Sequence, residues 1–195
     1  MLLEDGGQQD TLLVRVRTGE TRRLTDDPLR EDFLEWAPDR SQLYFTVAPE
    51  EQNELRSIRP DGSEREREVA PENGRDITGA LASPDGRWVA GYSYSLAEGR
   101  RPPLTLFDTQ KKTFEELVDL KATPWCGWLP DSRRLLLAAG GKLEVLDRVT
   151  RTLTPAGSLG GDVRTVVISR DGRSLFASKM VVEADIWMLD YGPAP

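Results

Sequence analysis

WAPDR (36–40), ASPDG (82–86), WLPDS (128–132) and ISRDG (168–172) are four copies of one chain reversal, each set between short apolar runs. The chemistry of the turn is legible in the letters. Pro presets φ at about −65°, Asp can accept a hydrogen bond from its own backbone two residues on, and Gly tolerates positive φ. Gly follows the aspartate in two copies (Gly86 and Gly172); Arg40 and Ser132 stand there in the others. Those two turns are expected to be wider or slightly strained. The turn aspartates, Asp39, Asp85, Asp131 and Asp171, follow at steps of 46, 46 and 40 residues.

Strand-turn-strand texture at a period of roughly 40–50 residues predicts an all-β propeller or a similar array. Trp36, Ala82, Trp128 and Ile168 fall in register before the turn and are placed at the opening of a strand. Leu43, Val89, Leu135 and Leu175 fall four places after the aspartate, aliphatic in every copy. A second hairpin follows each first one. Its leading strand reads ELRSI (54–58), LTLFD (104–108), KLEVLD (142–147) and DIWMLD (185–190), alternating apolar and polar residues as a half-buried strand does. Charged outer strands come next, REREV (65–69), FEELV (114–118) and RTLTP (151–155), the composition that protects an edge from pairing with another chain. Each unit is thus a four-stranded antiparallel meander, or one propeller blade.

The chain reads as a single propeller domain over 1–195, with whole blades at about 26–70, 71–119 and 120–161. Partial blades flank them at 1–25 and 162–191. TLLVRVRTGETRRLT (11–25) supplies only third and fourth strands, and 162–190 supplies three strands without a fourth. An arc of a larger, incomplete ring is therefore expected rather than a closed ring of four blades.

Composition narrows the function. The net charge of −7 and pI near 4.8 argue against a nucleic-acid partner, which needs a basic face. Paired arginines at 22–23, 100–101 and 133–134 are scattered over different blades and read as solvated edges and loops. No run is apolar enough to span a membrane. MLLEDGG (1–7) lacks the basic and apolar regions of a secretory signal, so the chain as written is expected in the cytoplasm. If it is a piece of an exported or membrane-anchored protein, the periplasm is expected instead. Histidine is absent, which excludes Ser-His-Asp and Cys-His chemistry and His-containing zinc sites within these residues. GYSYS (91–95) only resembles a nucleophile elbow, and GGK (140–142) lacks the preceding Gly of a phosphate loop. Cys126, the single cysteine, is read as a small buried residue. No catalytic, cofactor-binding or metal-binding residue emerges, and the turn aspartates are assigned to scaffold.

WAPDRSQLYF (36–45), SPDGRWVAGYS (83–93) and ADIWMLD (184–190) resemble the TolB-type, WD-like propeller repeat. TGETRRLTDDP (18–28) matches its blade-linking pattern, and the likeness covers 11–190. The ending ADIWMLDYG is similar to the C-terminal propeller of bacterial eukaryotic-like serine/threonine kinases, although no kinase motif is present. The resemblance implies a six- or seven-bladed ring and a scaffold or sensor module of a larger protein.

The expected function is therefore a non-catalytic propeller that binds a protein or peptide. The alternative is the gating propeller of a prolyl-oligopeptidase-like hydrolase whose catalytic domain lies elsewhere. Trp36 and Trp128 are expected to pack between neighbouring blades rather than serve as exposed anchors. The polar loop YSLAEGRRPP (94–103) is the longest insertion between strands and a candidate binding loop.

Overall fold

The computed structural model describes residues 2–5, 8–26, 28–47, 53–69, 77–93, 103–118, 120, 125–169 and 171–180. DIWMLD (185–190) with Trp187, Arg100, Arg101 and the loop 94–102 lie outside the described residues. Among the described residues every regular element is a strand.

The described residues form five antiparallel sheets in chain order. The first contains β1 (Leu2–Asp5), β2 (Gln8–Val14) and β3 (Thr21–Arg23). The second contains β4 (Glu31–Trp36), β5 (Leu43–Val47), β6 (Glu54–Ile58) and β7 (Glu66–Val69). The third runs through β8 (Thr78–Ala82), β9 (Trp88–Tyr92), β10 (Leu104–Asp108) and β11 (Thr113–Val118). The fourth runs through β12 (Trp125–Trp128), β13 (Arg134–Ala139), β14 (Lys142–Asp147) and β15 (Thr152–Ser158). The fifth pairs β16 (Asp162–Ile168) with β17 (Leu175–Met180). Strand order within each sheet is sequential, so every sheet is a meander. The bounds of β6, β10 and β14 are those expected from the alternating runs. β1 adds one strand to the two expected in the first sheet.

Sheet packs on sheet because alternate residues of a middle strand face opposite neighbours. In β13, Leu135 and Leu137 join Trp88, Leu104, Leu106 and Trp128 between the third and fourth sheets. Leu136 and Ala138 of the same strand turn the other way, onto Val163 and Val166 of the fifth. In β5, Leu43, Phe45 and Val47 meet Leu24 of the blade-linking Leu-Thr pair, while Tyr44 joins Val89 and Phe107 toward the third sheet. The inner strands β4, β8, β12 and β16 contact one another in succession, so the sheets fan round a common side. This is an arc of a propeller. The fifth sheet breaks the rule that the fourth place after the turn is buried: Leu175 and its neighbour Phe176 are exposed, since no further described sheet covers them.

The four turns close identically. The N–H donors of Arg40, Gly86, Ser132 and Gly172 bond the carbonyls of Ala37, Ser83, Leu129 and Ser169 at 2.8–3.1 Å. The turn aspartates accept the N–H two residues on, from Ser41, Arg87, Arg133 and Arg173. The Ser41 N–H and hydroxyl hold the Asp39 carboxyl below the usual carboxylate range, and the Ser169 hydroxyl with the Arg173 N–H does the same for Asp171. At Asp131 desolvation is the largest single effect and is outweighed by the Arg134 and Arg133 N–H groups together with the Arg134 guanidinium. Arg40 and Ser132 adopt φ of 61° and 53° where the glycines have 73° and 68°. The departures are thus strained and no wider, each carrying a side chain in left-handed backbone. Trp36, Ala82, Trp128 and Ile168 close the first strand of each hairpin instead of opening it, because pairing continues up to the turn.

A second device, repeated in the third and fourth sheets, locks the first hairpin to the second. Asp108 accepts the N–H groups of Gln110 and Lys111 and pairs with Arg87, two residues past a turn aspartate. Asp147 repeats it with Val149, Thr150 and Arg133, the latter at 2.6 Å. That guanidinium contributes most to lowering the Asp147 carboxyl to about 2.

Candidate functional site

Turns from adjacent sheets stack on one another. A Cβ built on Gly172 would come within 2.6 Å of Pro130 Cγ, so only glycine allows this approach. Gly86 lies over Pro38 at ordinary contact distance, 3.6 Å from a built Cβ to Pro38 Cδ, and Ser132 Oγ accepts the Asp85 N–H at 2.9 Å. The stacked turns bring the inner-strand ends together. Between them lies a cavity of about 740 Å³ lined by residues of the first, second, third, fourth and fifth sheets. Its wall is mostly apolar, from Val14 and Val16 through Leu81 and Ala82 to Val167 and Ile168.

The two tryptophans part company here. Trp128 is 6% exposed, and its indole N–H donates to the Leu81 carbonyl at 2.9 Å, across the joint between third and fourth sheets. That is the expected packing between blades. Trp36 corrects the expectation, being 38% exposed on the cavity wall. Trp128 is covered by β8; the described first sheet has no strand corresponding to β8 to cover Trp36.

Aligning the inner strands on the turn aspartate exposes a residue that composition did not single out. Four places before it stand Leu81, Gly127 and Val167, and in the second sheet Glu35. All four line the cavity. The strand is bulged between Asp32 and Glu35, with Phe33 at φ 54°. β8 carries a bulge at the corresponding place, where Gly79 takes φ 94°. Bulges re-aim the side chains that follow them. The Glu35 carboxyl is half-buried, and among the described residues it has no hydrogen bond or ion pair. Burial pushes it up from the usual 4.5 to about 7. Cys126 is also on this wall, partly buried as a residue, with its thiol pushed up to about 11 by desolvation, so it stays a thiol near neutral pH.

The Glu35 shift has a definite sign for stability. A carboxyl raised in the folded state binds its proton more tightly than in the unfolded chain. Its contribution is therefore intact below pH 4.5 and is lost as pH rises toward 7. Allowing for partial solvent screening, Glu35→Gln is expected to exceed the parent in stability by roughly 1–2 kcal/mol at pH 8 and to match it at pH 4. Urea denaturation at the two pH values measures this, and equal differences at both would refute it.

No family model matches the chain, and no curated protein matches it. Solved structures do match. TolB from Acinetobacter baumannii superposes with a TM-score of 0.72 at 13% identity, over 87% of this chain and 42% of that one. A chain of a nidogen/laminin complex gives 0.68 at 12% identity, over 88% and 64%. Oligogalacturonate lyase from Vibrio parahaemolyticus gives 0.65 at 16%, over 85% and 46%. The fold is a β-propeller fold. At such identities the likeness is one of architecture, and this chain spans less than two thirds of each of these chains.

Proposed function

We propose that this chain is a non-catalytic propeller module that binds a protein or peptide segment along its concave inner wall. The observation that carries the reading is the apolar cavity at the converging inner strands, with Trp36 exposed on it. An indole held on a rigid strand offers a large contact area at small entropic cost, which suits recognition better than scaffold. Comparison adds support: one matched architecture comes from a protein–protein complex. The abundant acids that first look chemical are tied up in turns. Asp39, Asp85, Asp131 and Asp171 all accept bonds from their own loops.

Selection of a phage-displayed random dodecapeptide library on the immobilised chain tests the reading. Peptides that bind the parent are expected to lose at least tenfold in affinity for Trp36→Asp, measured by fluorescence anisotropy, while far-UV circular dichroism stays unchanged. Failure to select any peptide, or turnover of peptide or ester substrates by the purified chain, would overturn it.

A further inference from the structure

Glu35 departs from the logic of its own repeat. At the corresponding inner-wall position the neighbouring sheets carry Leu81, Gly127 and Val167, residues that cost nothing to desolvate. Gly127 leaves room for the Ile168 side chain, whose Cδ1 would lie 3.2 Å from an added Cβ. These are packing choices. A carboxyl in the same place weakens the folded state, because its ionised form loses hydration and gains no partner among the described residues. The bulge before it recurs in β8 and β16, but in β4 it puts Phe33 in left-handed space where β8 has Gly79. Strain at Phe33 and, two positions on, an acid with no partner among the described residues mark a group held ready for a ligand.

The surroundings define what that something is. Trp36, Leu81, Ala82, Val167 and Ile168 give an apolar wall, so the group reaching Glu35 travels on an apolar stem. An acid in such a site is satisfied by a cation able to donate hydrogen bonds. The one other charged residue on the described lining is Arg40, which is exposed in the β4–β5 turn. Among the described residues the acid of the wall has no ion pair.

We infer that Glu35 is the receptor for one lysine or arginine side chain, carried by an otherwise apolar peptide seated in this cavity. The inference rests on the peptide-binding reading above. The methylene stem of the basic residue packs along the inner strands, and its charged end meets the carboxylate. Binding removes the penalty of the unpaired charge, so discrimination for a cation comes from the site and not from the rim. The acid acts as a selectivity filter in an otherwise undiscriminating apolar groove.

A positional-scanning library of acetylated hexapeptide amides, in which one position is lysine, arginine or norleucine and the others are apolar, tests this on the full chain. The parent is expected to retain lysine and arginine peptides at least tenfold more tightly than their norleucine counterparts. Glu35→Gln and Glu35→Leu, the latter installing the residue of the neighbouring repeat, are expected to abolish that preference while still holding norleucine peptides. Thermal unfolding of both variants confirms that they fold. If parent and variants bind all peptides alike, the assignment of Glu35 fails and the peptide-binding reading stands. If the parent retains no peptide of any kind, both fail.

Discussion

Trp128→Ala is expected to lose about 3–5 kcal/mol of stability, the range for emptying a large aromatic site in a packed core. Trp128 ends β12, where it fills the joint between the third and fourth sheets against Trp88, Leu104, Leu106, Leu135 and Leu137. The neighbouring turns are already stacked, so the sheets cannot close over the vacancy without pulling Ser132 from the Asp85 N–H. The indole N–H also donates to the Leu81 carbonyl at 2.9 Å, a bond that alanine deletes. Trp128→Phe separates the two contributions, keeping most of the volume and giving up the hydrogen bond, with an expected loss of roughly 1–2 kcal/mol. Urea denaturation followed by circular dichroism measures both. An alanine variant as stable as the parent would remove Trp128 from the joint.

Sequence disclosed the scaffold far better than the site, and the reason is physical. A turn is local. Pro, Asp and the residue after them act within four positions, so Asp39, Asp85, Asp131 and Asp171 could be assigned from letters alone. The same holds for β6, β10 and β14, whose period-2 pattern is set by their two packed faces. At Arg40 and Ser132 the expected departure takes the form of strain and not of widening, because the closing bond holds the loop to one shape and the side chain sits in left-handed backbone. Trp36 and Trp128 occupy one repeat position and have opposite fates. Their difference lies in whether a neighbouring inner strand covers the ring, a fact outside the local sequence. Glu35 was within reach. The alignment on the turn aspartate already held Leu81, Gly127 and Val167, and a lone acid in that column was the signal.

Glu31 is a second charge that local reading misses, because its partners lie 20, 6 and 34 residues away. In REDFL it looks like a solvated acid at a strand start, yet it is fully buried. One carboxylate oxygen accepts the hydroxyls of Thr11 and Thr25, both at 2.7 Å, and the other meets the Arg65 guanidinium at 3.1 Å. Thr25 in turn accepts the Thr11 N–H at 2.8 Å. The cluster therefore binds β2, the linker before β4 and the β6–β7 connection into one unit, joining first sheet to second. This gives a physical role to the Leu-Thr pair of the blade link: Leu24 enters the core while Thr25 holds the acid.

Removing one partner of a buried charge cluster costs more than the cluster contributes, since the groups left behind stay desolvated. Glu31→Ala is accordingly expected to cost about 3–5 kcal/mol, with Arg65 still stacked over the Phe45 ring but lacking this carboxylate partner. Glu31→Gln keeps the shape and loses the charge, so an intermediate loss is expected. Thr25→Val tests the joint from the other side, because it deletes the hydroxyl that both accepts from Thr11 and donates to Glu31. Amide exchange localises the effect. Glu31→Ala is expected to speed exchange in β2 and β3 before β9 and β13, as the first sheet loosens from the second ahead of global unfolding. Uniform acceleration across all sheets, or unchanged urea midpoints, would show that the cluster does not hold this joint.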